Sequence, residues 1–526
     1  MRTWRILRVG GVRQLAKIHS LAAFLILLGG CASAQTAAPG AAIGGPFRPA
    51  NEAIERIRRI DPQVNSILAL DPAAIERASR SLMDSNVTTP LTGQPILIKD
   101  NIEVAGLPTT AGSLALKDND TGRDAPIVTR LRSAGMVILG KTNLSEWANI
   151  RDNSSISGWS AVGGQTRNPY ALDRDPCGSS SGSGAAVAAG IVDYTIGTET
   201  NGSVTCPASV NGIVGLKPSV GLVSRTRIVP ISVTQDTAGP MTRTVREAAE
   251  LLTVIAGSDP ADPATAEADA RKSDYVAALG SASLKGKRLG LMRFASGFGT
   301  DAALNQALAV LRAQGAEIVE IKELGGAKDG PKQLPVLLTE FKVGLNAYLA
   351  TTPPSVTTRT LADVIAFNKT DPRELALFGQ DLFEKAEATK GLDDADYKKA
   401  RDEGIAFAGK NGIDRLLKDN KVVALIGPTV SAAWPIDAVH GDQYPGGGAG
   451  YLAAIAGYPH LTVPMGMVKG LPVGLSFIGP KWSEALLLGL GYAYEQARGP
   501  LPAPRFLPSI EQAPEIAPLL EKPARR

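Results

Sequence analysis

The stretch Tyr194-Thr195-Ile196-Gly197-Thr198-Glu199-Thr200-Asn201-Gly202-Ser203 opens on a short apolar run and breaks into polar residues. Tyr194–Gly197 reads as a buried strand, with small-residue helices predicted at Ala185–Ala189 before it and Pro207–Asn211 after it. Working outward, the same alternation recurs. Pro95-Ile96-Leu97-Ile98 is a strand ending at Lys99-Asp100-Asn101. Pro126–Ala134 is helical and leads to a strand at Met136–Leu139, closed by Gly140. Ile54, Ile57 and Ile60 recur at helical spacing near the start of this pattern. Downstream, Arg288–Leu291, Glu317–Ile321, Val422–Ile426 and Leu461–Pro464 alternate with long helical patterns. Apolar strands separated by helices predict an α/β fold with a largely buried sheet. No internal repeat is visible.

Composition narrows the function. The chain has 526 residues, 44% hydrophobic and 20% charged, the balance of a globular protein. Three cysteines rule out a Cys-based zinc ribbon, and three histidines leave little for a multi-histidine site, so no metal is expected. The net charge of +4 comes from the first thirty residues, where Arg2, Arg5, Arg8, Arg13 and Lys17 stand without an acid. Without those five, 50 basic residues face 51 acidic ones, and no basic run points to nucleic acid.

Three segments carry candidate chemistry. Lys99 ends an apolar strand: it either snorkels to solvent or sits desolvated and neutral near pH 7, able to accept a proton. Cys177-Gly178-Ser179-Ser180-Ser181-Gly182-Ser183-Gly184 lies in a long polar stretch, 151–184, and is either a flexible linker or an anion-binding helix start. Gly178-x-Ser180-x-Gly182 also satisfies the nucleophile-elbow pattern, although the preceding Tyr170–Pro176 is too polar for the strand an elbow serine should follow. The turn Thr198–Ser203 presents successive N–H groups, with Gly202 allowing close approach of a ligand and Ser203 standing either beside an oxyanion hole or as a helix cap.

Taken in order, Pro95–Asn101, Gly178–Ser183, Gly197–Ser203, Gly215-Leu216-Lys217-Pro218 and Asp236-Thr237-Ala238-Gly239-Pro240 resemble the amidase signature family. Gly448 through Pro464 and Leu471–Gly474 extend the likeness over nearly the whole chain after its first fifty residues. Asn143–Trp147, Ser157–Ser160 and Gly163–Pro169 are similar to the peptide amidase branch. The resemblance implies one large α/β domain, a mixed β-sheet surrounded by helices. It implies an amide hydrolase with no cofactor, working through an acyl-enzyme on carboxamides such as C-terminal peptide amides and releasing ammonia. Carried over, Ser203 is the nucleophile, Ser179 the proton bridge on a cis peptide, and Lys99 the base. Thr200, Asn201 and Gly202, with Ser203, supply oxyanion N–H groups, and Ser180 helps orient the site. The chain departs from the family in Gly182-Ser183-Gly184, where Gly-Gly-Ser is common, and in Asn201, where Asp is frequent. Cys177 and Cys206, flanking the two serines, could pair in an exported protein, but are read first as buried free thiols.

Residues 1–30, basic then apolar over Leu21–Leu28, have the layout of a secretory signal. Ala32-Ser33-Ala34 suits ordinary cleavage, while Leu28-Gly29-Gly30-Cys31 resembles a lipobox that would anchor the protein to a membrane through Cys31. The expectation is export to a bacterial periplasm, free or lipid-anchored. Residues 31–50 are read as a tether, 51–510 as the amidase domain, 511–526 as a tail, and 323–420 as an insertion covering the site. Three other readings remain at this point. One is an esterase using Ser180 with His440 or His460, another a non-catalytic binding lipoprotein. The third, a tRNA-dependent amidotransferase component, needs cytosolic partners and conflicts with an export signal.

Overall fold

The computed structural model describes residues 47–85, 89–325 and 330–521; the signal, the lipobox with Cys31 and most of the tether lie outside them. Eleven strands form one mixed sheet: β1 Ile67–Leu70, β2 Pro95–Lys99, β3 Val137–Thr142, β4 Tyr194–Glu199, β5 Val214–Lys217, β6 Thr237–Thr242, β7 Arg288–Met292, β8 Glu317–Ile321, β9 Ala424–Pro428, β10 His460–Val468 and β11 Leu471–Ile478. Their order across the sheet is β1-β3-β2-β4-β6-β5-β10-β11-β9-β7-β8. Helices cover both faces, as the alternating pattern requires. Along β2, Ile96 and Ile98 pack into one core cluster while Leu97 packs into another with Ala186 and Val187. An unbroken apolar run is what a strand buried on both faces needs.

The β2 strand runs parallel to both β3 and β4, with Leu97 opposite Thr195 and Ile98 opposite Ile196. The carboxyl ends of β2 and β4 therefore lie side by side, delivering Lys99 and the turn after Glu199 to one edge, the usual ligand-binding edge of such a sheet.

Two local readings change. Gly140 does not close its strand. It sits inside β3, where a Cβ would collide with the Ala69 carbonyl oxygen just before Leu70 of β1. Ser181, Gly182, Ser183 and Gly184 are not a loop; they form the first turns of a buried helix, Ser181–Ala188. A Cβ on Gly182 would collide with the carbonyl oxygens of Ser66 and Asn143. Glycine there lets the helix start press against neighbouring backbone.

Within 323–420, the helices Gln333–Leu349, Leu361–Thr370 and Asp381–Glu387 bury a second core with Trp147, Ile150, Val229 and Ile231. Phe383 stacks on Phe341 at 5.1 Å and meets Trp147 edge-on at 5.7 Å. Arg151, fully buried, pins this region down: it binds Glu146, reaches Glu374 at 3.2 Å and lies 4.0 Å over the Phe378 ring. The chain beyond residue 508 also packs, with Ile510 and Ala513 buried beside Tyr170 and Trp434.

Candidate active site

At the end of β2 the Lys99 side chain is wholly enclosed. Its amine lies 2.7 Å from Ser179 Oγ, 2.8 Å from Thr198 Oγ1 and 3.3 Å from the Thr198 carbonyl oxygen. Burial pushes the amine down to about 7, against the Asp236 and Glu199 carboxylates, which favour its charged form. A neutral amine has two N–H donors and one lone pair. That count fits three partners: Thr198 takes the donors and the Ser179 hydroxyl donates to the lone pair. Asn101 Nδ2 also donates to Thr198 Oγ1, at 2.9 Å, fixing the threonine.

Ser179 follows a cis peptide bond from Gly178, as the family likeness implied. Its carbonyl oxygen accepts from Ser145 N at 3.1 Å, tying it to the polar stretch after β3. The next residue, Ser180, donates its hydroxyl to the Thr198 carbonyl at 3.1 Å and its N–H to the Ser203 carbonyl at 3.1 Å. Ser180 thus knits the two serine segments together. Neither histidine joins it. His460 is buried with Nε2 2.7 Å from Ser476 Oγ, and burial pushes its imidazole down to about 4. His440 stands exposed beside Asp437. The geometry that an esterase based on Ser180 would need is not present.

The turn after β4 is held from below. Glu199 Oε2 accepts from Val204 N and Thr205 N, at 2.9 and 3.0 Å. Asp236, just before β6, accepts the Thr200 hydroxyl at 2.6 Å and the N–H groups of Ile231 and Ser232 at 2.7 and 2.8 Å. Burial raises the Asp236 carboxyl above its ordinary range, partly offset by those bonds. From the helical region, Gln333 accepts from Asn201 Nδ2 at 3.1 Å and donates to Gln235, which donates to the Thr200 carbonyl. So 323–420 does reach the site, through one glutamine.

The N–H groups of Thr200, Asn201, Gly202 and Ser203 donate to no acceptor among the described residues. Gly202 has φ +84° and open space where a Cβ would stand. Ser203, 9% exposed, likewise has no side-chain hydrogen bond among the described residues. Two cavities lie along these segments. One, about 40 Å³, is lined by Asn101, Ser179, Thr198, Thr200 and Asp236. The other, about 490 Å³, is lined by Gly178, Asn201, Gly202, Trp434, Asp442 and Tyr444 among others.

Cys177 and Cys206 are not free thiols. They form a disulfide, with Cα atoms 6.0 Å apart, within the usual reach of such a bond. The chain between them, a separation of 29, runs out along β4 and back, which hides their proximity in the sequence. Thr198, Asn101 and Gln333 are further site residues that the sequence does not single out. Thr198 and Asn101 lie inside the quoted motifs but bear no reactive group. Gln333 sits in a helix with no motif at all.

The amidase family model matches residues 50–488. A probable amidase of Arabidopsis thaliana is 39% identical, covering 86% of this chain and 87% of its own. One chain of the glutamyl-tRNA(Gln) amidotransferase of Roseiflexus castenholzii is 36% identical over 84% of this chain and 90% of its own. The crystal structure of the peptide amidase from Stenotrophomonas maltophilia superposes with a TM-score of 0.79 at 47% identity, covering 88% of this chain and 95% of that one. The chain belongs to the amidase signature family and is a hydrolase of amide C–N bonds.

Proposed function

We propose that the protein deamidates carboxamides, C-terminal peptide amides among them, by a Ser203–Ser179–Lys99 relay. The observation that carries this is the buried Lys99 amine, down to about 7 and 2.7 Å from Ser179 Oγ. Neutral Lys99 takes the Ser179 proton as Ser179 takes that of Ser203, and Ser203 Oγ bonds to the carbonyl carbon. Among the described residues the Ser203 hydroxyl makes no hydrogen bond, so it must turn to Ser179 for the relay to begin. The carbonyl oxygen becomes an oxyanion held by the unused N–H groups of residues 200–203, where losing one donor costs on the order of 10²–10³ in rate. The proton on Lys99 returns through Ser179 to the amide nitrogen, the C–N bond breaks, and ammonia leaves. Water then attacks the acyl-enzyme, giving its proton back along the same path and restoring Ser203.

The test is ammonia release from a C-terminally amidated dipeptide by the wild type, Ser203→Ala and Lys99→Ala. Release that vanishes in both variants supports the relay. Activity surviving Lys99→Ala overturns it.

We also propose that residues 1–30 direct export, with Cys31 as a site for lipid attachment. The Cys177–Cys206 disulfide supports this, because such bonds persist chiefly in oxidising compartments. Fractionation of cells expressing the full chain, with Cys31→Ser beside it, tests it: signal confined to the cytosol overturns export, and unchanged membrane retention in Cys31→Ser overturns the anchor.

A further inference from the structure

The larger cavity opens beside both serine segments, through Gly178 and Gly202. In the relay proposed above, the leaving nitrogen must face Ser179, so this cavity falls to the acyl part of the substrate. Among its described lining residues Asp442 is the only charged side chain, since buried His460 is held neutral. No lysine or arginine forms an ion pair with Asp442 among the described residues; its Oδ1 accepts the Ser157 N–H, at 3.1 Å, and its carboxyl also meets that of Asp175. Behind it lies Asp175, fully buried, whose Oδ1 takes the Cys177 N–H at 2.6 Å and whose Oδ2 has no donor. Burial and the neighbouring Asp442 push the Asp175 carboxyl well above the carboxylate range. In the same lining, Trp434 and Tyr444 meet edge-to-face with ring centroids 5.3 Å apart. A carboxylate without a cationic partner, set among aromatic rings in a cleft, is an environment that attracts an ammonium group.

We infer that Asp442 is a specificity-determining residue, selecting amides whose acyl part carries a free ammonium group, such as short peptide amides with an unblocked N-terminus. This rests on the relay reading, which assigns the acyl side to this cavity.

The experiment compares kcat/KM for Ala-Phe-NH2 and its N-acetyl form at pH 8 in the wild type, Asp442→Asn and Asp442→Ala. Asparagine keeps the oxygen that accepts from Ser157. The wild type should favour the free amine by about tenfold or more, the scale of one hydrogen bond to a charged group. In both variants the ratio should fall to within about twofold of unity, whatever the absolute rates. A wild-type ratio near unity overturns the inference with no need of variants, and so does a ratio that survives Asp442→Asn. Either result leaves the relay standing, because the acetylated amide is still cleaved. Cleavage of neither amide overturns both.

Discussion

Thr198 offers the amine of Lys99 both its hydroxyl, at 2.8 Å, and its carbonyl oxygen, at 3.3 Å. One residue at the end of β4 thereby occupies both donors of a neutral lysine and leaves its lone pair to Ser179. The relation explains why a buried lysine is tolerated here with no ion pair. Its neutral form is fully hydrogen-bonded, and a desolvated charge is avoided.

Activity should therefore follow the deprotonation of Lys99. Burial lowers this amine to about 7, and only its neutral form accepts the Ser179 proton. The kcat/KM profile should rise with pH through an apparent pKa near 7 and fall tenfold per unit below it. A profile flat from pH 5 to 8 would remove Lys99 from the role of base.

Lys99→Arg puts a larger, permanently charged group in the same pocket, one that cannot deprotonate. It should lose on the order of 10²–10⁴ of kcat, the usual contribution of a general base. Thermal melting, measured alongside, separates this loss from misfolding.

Asp236→Asn removes one of the two carboxylates that favour charged Lys99. The acid limb should move to lower pH, by up to about one unit. The variant also loses an acceptor that holds Thr200 and the N–H groups of Ile231 and Ser232, so kcat should fall at every pH. A purely structural role would lower kcat without moving the limb.

Arg151→Ala should destabilise the fold by roughly 3–5 kcal/mol, because it strands the buried Glu146 and Glu374 carboxyls without their cation. Denaturant unfolding reads this directly. Replacing all three residues with apolar ones should recover much of the loss.

Replacing Cys177 and Cys206 with alanine should cost roughly 3–4 kcal/mol, the loop-closure value for a ring of this size. Because the bond joins the residue before Gly178 to the helix after Ser203, kcat should drop as well. Unfolding midpoints with and without a thiol reductant test the first claim in the wild type alone.

Much is legible in the chain itself. The apolar runs of β2 and β4, broken by Lys99-Asp100-Asn101 and by Thr198–Ser203, announce two buried strands ending in polar turns, although the second strand in fact runs on through Glu199. These are local signals: an apolar run must leave water, and a polar break marks where it comes out. The order of the motifs carries the family, and with it the three candidate residues. Tertiary structure alone decides how those residues are served. Thr198 meets Lys99 across 99 positions of chain, Gln333 meets Asn201 across 132, and Arg151 meets Glu374 across 223. Nothing in the residues flanking either partner encodes such a meeting. Parallel pairing of β2 with β4 supplies the first, and packing of the helices after residue 332 supplies the other two. The same holds for the lysine's titration and the joined cysteines, since desolvation and proximity are properties of the assembled core and not of any segment within it.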